Sequence, residues 1–163
     1  MLRFRDAAVT DPDANRLIGD YFAERAAGFP PEQGEYRPTW PVDEQFAPPA
    51  GVFVVVEDES GAAVGCGGVR RIPPSAEGHV RYEVKHLWLA PAARGQGGGR
   101  ALLEELERRA VAFGAEELVL DTNASLAAAG GLYAASGYVG IEPYNDNPNA
   151  TNWYGKRVAR AAG

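Results

Sequence analysis

The run Arg94-Gly95-Gln96-Gly97-Gly98-Gly99-Arg100 sets a glycine-rich turn between two guanidinium groups. Glycines let successive backbone N–H groups turn toward one point. The first turn of a helix leaves its N–H groups without intrahelical partners, beneath a partial positive charge. A phosphate suits such a place, and Arg94 and Arg100 are positioned to add charge-assisted hydrogen bonds to it. The predicted chemistry is anion binding, in a chain whose formal charge is -6 (16 Lys and Arg against 22 Asp and Glu).

Three phosphate-binding patterns compete for this run. The P-loop of nucleotide hydrolases needs Lys and then Ser or Thr after its last glycine, whereas Arg100-Ala101 follows here. The dinucleotide fingerprint, Gly-x-Gly-x-x-Gly/Ala, ends on Arg100 if started at Gly95 and on Leu102 if started at Gly97, so both registers fail. The third pattern, Gln/Arg-x-x-Gly-x-Gly/Ala, is met by Arg94 to Gly99. In that form the segment resembles the acyl-coenzyme A loop of the GCN5-related N-acetyltransferases. The gapless stretch YEVKHLWLAPAARGQGGGRALL is similar to that family's central strand, loop and helix. Farther on, Gly131-Leu132-Tyr133-Ala134-Ala135-Ser136-Gly137-Tyr138 resembles the family's Leu-Tyr-x-x-x-Gly-Phe/Tyr signature.

The resemblance implies an α/β (α+β) fold with a mixed, largely antiparallel central sheet flanked by helices and splayed where acetyl-CoA enters. It implies that the backbone of Leu87, Trp88 and Leu89 pairs with the pantetheine amides as an added strand would. It implies further that the N–H groups of Gly95, Gln96, Gly97, Gly98, Gly99 and Arg100 hold the pyrophosphate, with Arg94 beside them. Asn123 is placed to reach the coenzyme through its amide, at a spacing from Tyr133 slightly longer than expected. Tyr133 falls where these enzymes carry a tyrosine aimed at the coenzyme sulfur, and a phenol there can donate a proton as the thiolate forms. The implied reaction is acetyl transfer from acetyl-CoA to a primary amine of a small molecule, by direct attack, with no metal and no covalent intermediate. The alternatives are a non-catalytic acyl-CoA binding or sensing domain, and a structural domain in which the glycines form only a turn. The acceptor is left open among amino acids, polyamines, aminoglycosides, other small amines and protein amines.

An amine is mostly protonated at neutral pH, so a group or a water chain must take its proton. Glu83 is the first candidate, on the strand leading to the coenzyme site, where aromatic neighbours could desolvate it. His86 is the second, since its ordinary pKa suits the task. Strict strand alternation puts His86 on the face opposite Glu83, and a bulge would reverse that. Pro143-Tyr144-Asn145-Asp146-Asn147-Pro148 with Trp153-Tyr154 resembles a tail of some bacterial members of the superfamily, either lining the acceptor pocket or closing a hairpin.

These residues need a scaffold. The 163 residues, 45% hydrophobic, suit a single domain spanning 1–163. Strands are expected at 2–9, 51–57, 63–71, 79–89, 117–123, 138–142 and 153–158. Helices are expected from near Asp13, over 97–113, and over 127–136 with a stop at Gly137. Residues 28–49, rich in Pro and aromatics, are expected to pack over a pocket. Cys66 is the only cysteine, which excludes an intrachain disulfide and a thiol-rich metal site, and it reads as a small buried strand residue. The acidic balance argues against nucleic-acid partners and favours cationic ligands such as amines. No window approaches 18 uninterrupted apolar residues and the N-terminus lacks a leader-like run, so a cytoplasmic protein without a membrane partner is expected, with a homodimer allowed.

Overall fold

Asp11 starts the first helix by accepting hydrogen bonds from the backbone N–H groups of Asp13 and Ala14, and Pro12 occupies the first helical position, where its missing N–H costs nothing. The computed structural model describes residues 1–158. In chain order its elements are β1 (Arg3–Asp6), α1 (Pro12–Gly28), β2 (Gly51–Glu57), β3 (Ala63–Ile72), β4 (Arg81–Leu89), α2 (Gly98–Ala112), β5 (Glu117–Thr122), α3 (Ala127–Ala135), β6 (Val139–Gly140) and β7 (Asn152–Arg157). Between α1 and β2 the chain makes only two short 3₁₀ turns, Pro31–Gln33 and Asp43–Phe46, as its prolines require.

The described strands form one sheet in the order β1-β2-β3-β4-β5-β7-β6. Every neighbouring pair is antiparallel except β4 with β5, which α2 connects as a parallel crossover. The mixed, largely antiparallel sheet expected from the sequence is therefore present, with helices on both faces.

Period-two alternation in β2 divides the core. Val52, Val54 and Val56 face α2, packing with Leu102, Leu103, Leu106 and Ala110. Phe53 and Val55 face α1, packing with Leu17, Ile18 and Phe22. Each such buried side chain stabilises the fold by roughly 1.5–3 kcal/mol. The Cys66 thiol lies in the α1-side core, where burial pushes its pKa up and its S–H donates to the His86 carbonyl. An activated nucleophile has the opposite character.

The strand ends differ from expectation where pairing runs out. Strand β1 is shorter than 2–9, its ladder with β2 ending at Asp6 opposite Val54. The expected strand 138–142 pairs only at Val139 and Gly140. Ile141 adds one bond to the Trp153 carbonyl, and Pro143 then has no N–H to continue.

Candidate active site

Strands β4 and β5 pair at three positions, Arg81 with Glu117, Tyr82 with Leu118 and Glu83 with Val119, and then separate. Beyond Glu83 the edge of β4 that faces β5 has no ladder partner among the described residues. Its other edge stays bonded to β3, with Trp88 opposite Cys66 and Leu89 opposite Gly65. A cavity of about 540 Å³ fills the divergence. Its walls are β4 from Val84 to Leu87, β5 from Leu120 to Thr122, α3 through Leu126, Ala129 and Tyr133, and α1 through Tyr21, Phe22 and Arg25. Residues 36–42 and the loop carrying Asn145, Asn147 and Asn149 complete it.

A bulge shapes the β4 wall. Lys85 lies opposite Gly68 and Trp88 opposite Cys66, so His86 and Leu87 together face the single residue Gly67. A Cβ on Gly67 would come within 3.1 Å of Leu106 and 3.5 Å of the Leu87 backbone, so the residue opposite the bulge has little room for a side chain. His86 adopts φ 58°, a left-handed conformation costing about 1–3 kcal/mol for a non-glycine residue. The extra residue corrects the expectation from strict alternation. It turns His86 onto the α1 face, where its ring meets Phe22 at 5.6 Å, Phe46 at 6.0 Å and Tyr21 at 6.1 Å. Burial first, and then the charges of Lys85 and Arg70, hold the His86 pKa down at about 3, so the imidazole is neutral at ordinary pH.

Glu83 is 1% exposed and is not among the cavity walls described. Its Oε1 accepts from Arg70 Nε at 3.0 Å and Nη2 at 2.9 Å, and its Oε2 accepts from the Tyr144 hydroxyl at 2.7 Å. Burial, and then the Glu83 charge, push the Tyr144 pKa far above the usual phenol value, so Tyr144 remains a donor. Arg70 does line the cavity and stands between it and the carboxylate.

Tyr133 is buried, projects from α3 into the wall, and packs its ring 6.0 Å from those of Tyr138 and Tyr154. Its hydroxyl has no hydrogen-bond partner among the described residues. Burial drives its pKa well above the ordinary phenol range, so the O–H keeps its proton at neutral pH.

Within the glycine run Gly97 is the N-cap of α2, with φ 80°, and Gly95 has φ 82°. No side chain caps this helix, which leaves the N–H groups of its first turn available to an anion. A Cβ on Gly97 would meet nothing within 4 Å, so the space before the helix is open. The start of α2 lies against α3, since a Cβ on Gly99 would sit 3.5 Å from Leu132. An unpaired strand edge on β4 and a bare helix N-terminus on α2 thus stand at the two ends of the turn that joins them.

Other predicted contacts are engaged within the protein. Arg94 Nη2 donates to both oxygens of Glu24 at 2.8 Å, its Nε donates to the Leu89 carbonyl at 2.8 Å, and its guanidinium lies 5.8 Å from the Trp88 ring. It ties the loop to α1 and to the end of β4. Arg100 Nε bonds Glu104 at 3.2 Å across one helical turn. The Trp88 side chain belongs to the α1-side core, with its indole N–H buried and unpaired among the described residues. Asn123 donates to Gln33 at 2.6 Å and to the Asn149 carbonyl at 3.1 Å, and accepts from Ser125 N–H at 3.0 Å. Its amide joins the two loops that cover the cavity.

Several wall residues carry no sequence motif: Arg25, Arg37, Lys85 and Asp121. The signal available for Arg25 was its place one helical turn beyond Tyr21, at the end of the α1 stripe.

A profile of the acetyltransferase (GNAT) family matches residues 16–138. An uncharacterized N-acetyltransferase of Schizosaccharomyces pombe is 36% identical over 104 residues, which is 64% of this chain and 61% of that relative. The chain thus spans about three fifths of that relative's length. Among solved structures, a Klebsiella pneumoniae protein assigned as an acyl-CoA N-acyltransferase is 28% identical with a TM-score of 0.72, covering 96% of this chain and 97% of its own. A GNAT phosphinothricin acetyltransferase from Sinorhizobium meliloti, solved with acetyl-CoA, superimposes with a TM-score of 0.65 at 19% identity, covering 96% of this chain and 88% of its own.

Proposed function

The chain belongs to the GNAT family of acetyltransferases, and on that premise we propose that it transfers the acetyl group of acetyl-CoA to a primary amine of a small molecule by direct attack. The observation that carries the proposal is the divergence of β4 from β5 after Glu83, with the Tyr133 hydroxyl on its wall and the uncapped start of α2 beside it. Acetyl-CoA supplies the activated thioester carbonyl. The open edge of β4 at Leu87 to Leu89 orients it by backbone hydrogen bonds, and the N–H groups from Gly95 to Arg100 hold its pyrophosphate.

The amine nitrogen bonds to the thioester carbon, the carbon–sulfur bond breaks, and the sulfur takes its proton from Tyr133. A buried phenol that stays protonated suits this task. The proton lost by the amine passes to Glu83 at one remove, relayed by solvent past Arg70. His86 is the second reading for this step because it lines the cavity itself. Its depressed pKa makes it a weak base. Asn123 serves the coenzyme by holding the covering loops in place. A cytoplasmic location and the absence of a nucleic-acid or membrane partner belong to the same proposal, on the acidic balance of the chain.

Thiol release from acetyl-CoA across a panel of small amines tests the reading. Release that saturates in both substrates is expected. Saturable CoA binding with no release for any amine would replace the enzyme by an acyl-CoA binding domain.

A further inference from the structure

Resting on the acetyl-transfer reading, we infer that the acceptor is an amine that also carries a carboxylate, of the amino-acid type, with the carboxylate held by Arg25, Arg37 and Lys85. The cavity and the whole molecule have opposite charge. The chain carries -6, yet the charged residues of the cavity wall are Arg25, Arg37, Arg70 and Lys85 against the single carboxylate of Asp121. The acidic composition, taken alone, points to cationic ligands; the wall points the other way.

The partners of these groups decide which of them await a ligand. Arg70 is satisfied by Glu83 at 2.9 Å. Among the described residues Arg25 bonds only neutral groups, the Tyr21 hydroxyl at 3.5 Å and the Asn149 carbonyl at 3.4 Å, with its guanidinium 5.0 Å from the Tyr36 ring centre. The side chains of Arg37 and Lys85 have no carboxylate partner among the described residues. Arg25 and Lys85 are half-buried in this hollow without a counter-charge among the described residues, so an anionic ligand would replace hydration they lose, while Arg37 is exposed. His86 reports the same positive field, since Lys85 and Arg70 both add to the burial that depresses its pKa.

Asp121 fits the other end of such a molecule. Its two oxygens accept from Asn145 at 2.7 Å and Asn147 at 3.1 Å, and it has no cationic partner among the described residues, so it can receive an ammonium group. Tyr21, Phe22, Tyr36 and Trp40 supply aromatic surface for the remainder. The cations are not placed for the coenzyme pyrophosphate, because no residue from Gly95 to Arg100 is among the walls described for this cavity.

The test uses the full chain with acetyl-CoA and matched triplets: an α-amino acid, its amide and its decarboxylated amine, for aromatic and aliphatic side chains. The expected result is kcat/KM about tenfold or more higher for the carboxylated member of the preferred triplet. Arg25→Gln and, independently, Lys85→Gln should erase most of that preference through KM, with the Kd for CoA within about twofold of wild type, which also reports that each variant is folded. Equal or better turnover of the amide or the decarboxylated amine would overturn the inference and leave acetyl transfer standing. So would a loss of about tenfold in CoA affinity in both variants, which would assign the cations to the coenzyme. No thiol release from any amine would remove the acetyl-transfer reading itself, and the acceptor inference with it.

Discussion

The proposed coenzyme side and the proposed acceptor side of the site are built on different terms. Residues 82–103 form a continuous strand, turn and helix that offers mainly backbone: an unpaired edge on β4, two glycines at positive φ and an uncapped α2. The acceptor side is assembled from side chains of four separate stretches, carried by α1, residues 36–42, β4 with β5, and the loop of Asn145 to Asn149. Backbone recognition tolerates sequence change provided the geometry survives, whereas side-chain recognition can be altered residue by residue. The division separates a fixed donor from an adjustable acceptor.

Substitutions on the two sides should therefore fail differently. The largest effect is expected for Tyr133→Phe, which removes the proton donor and should lower kcat by about 10²-fold with little change in CoA affinity. Unchanged turnover would take Tyr133 out of the chemistry. Glu83→Gln should reduce kcat by about tenfold or more, since a carboxamide cannot take the amine's proton. If the loss instead follows His86→Asn, a change that tolerates the left-handed φ, the base is His86.

Gly97→Val should act on binding alone. Forcing a β-branched residue to φ 80° costs about 1–2 kcal/mol, and its side chain would enter the space before α2, so CoA affinity should fall by about tenfold while the amine KM holds. Wild-type CoA affinity in that variant would mislocate the phosphate. The smallest effect is on stability. His86 has a folded pKa of about 3 against an ordinary value near 6.5, so between these values the unfolded chain binds a proton that the native state excludes. Its contribution is complete above about pH 6.5 and is lost as pH falls toward 3. Denaturant titrations at pH 7 and pH 5 should show a smaller loss of stability in His86→Asn than in wild type. An equal loss would mean that His86 titrates normally.

The same contrast explains what was legible in the sequence. The strand, turn and helix of residues 82–103 could be read because they are contiguous, and a glycine-rich turn before a helix leaves a local pattern. The parallel pair follows from a strand, helix and strand order already visible in residues 79–123, whereas the splay beside it was implied only by the family resemblance. The β4 bulge was not legible, because period-two alternation carries no mark of an inserted residue; the only local hint was Gly67 on the partner strand. Arg94 and Asn123 were expected to reach the coenzyme, and their hydrogen bonds run instead to Glu24, Gln33 and Asn149, partners that only the fold brings near. The charge of the cavity was hidden for the same reason, since Arg25, Arg37 and Lys85 come to line one cavity only in three dimensions and composition reports the opposite sign.

Calorimetric titration of the full chain with CoA tests the central claim most directly, because every further step requires coenzyme in the divergence of β4 and β5. Saturable binding of one CoA per chain, weakened about tenfold by Gly97→Val, is the result predicted here. No saturable binding at millimolar CoA would contradict it.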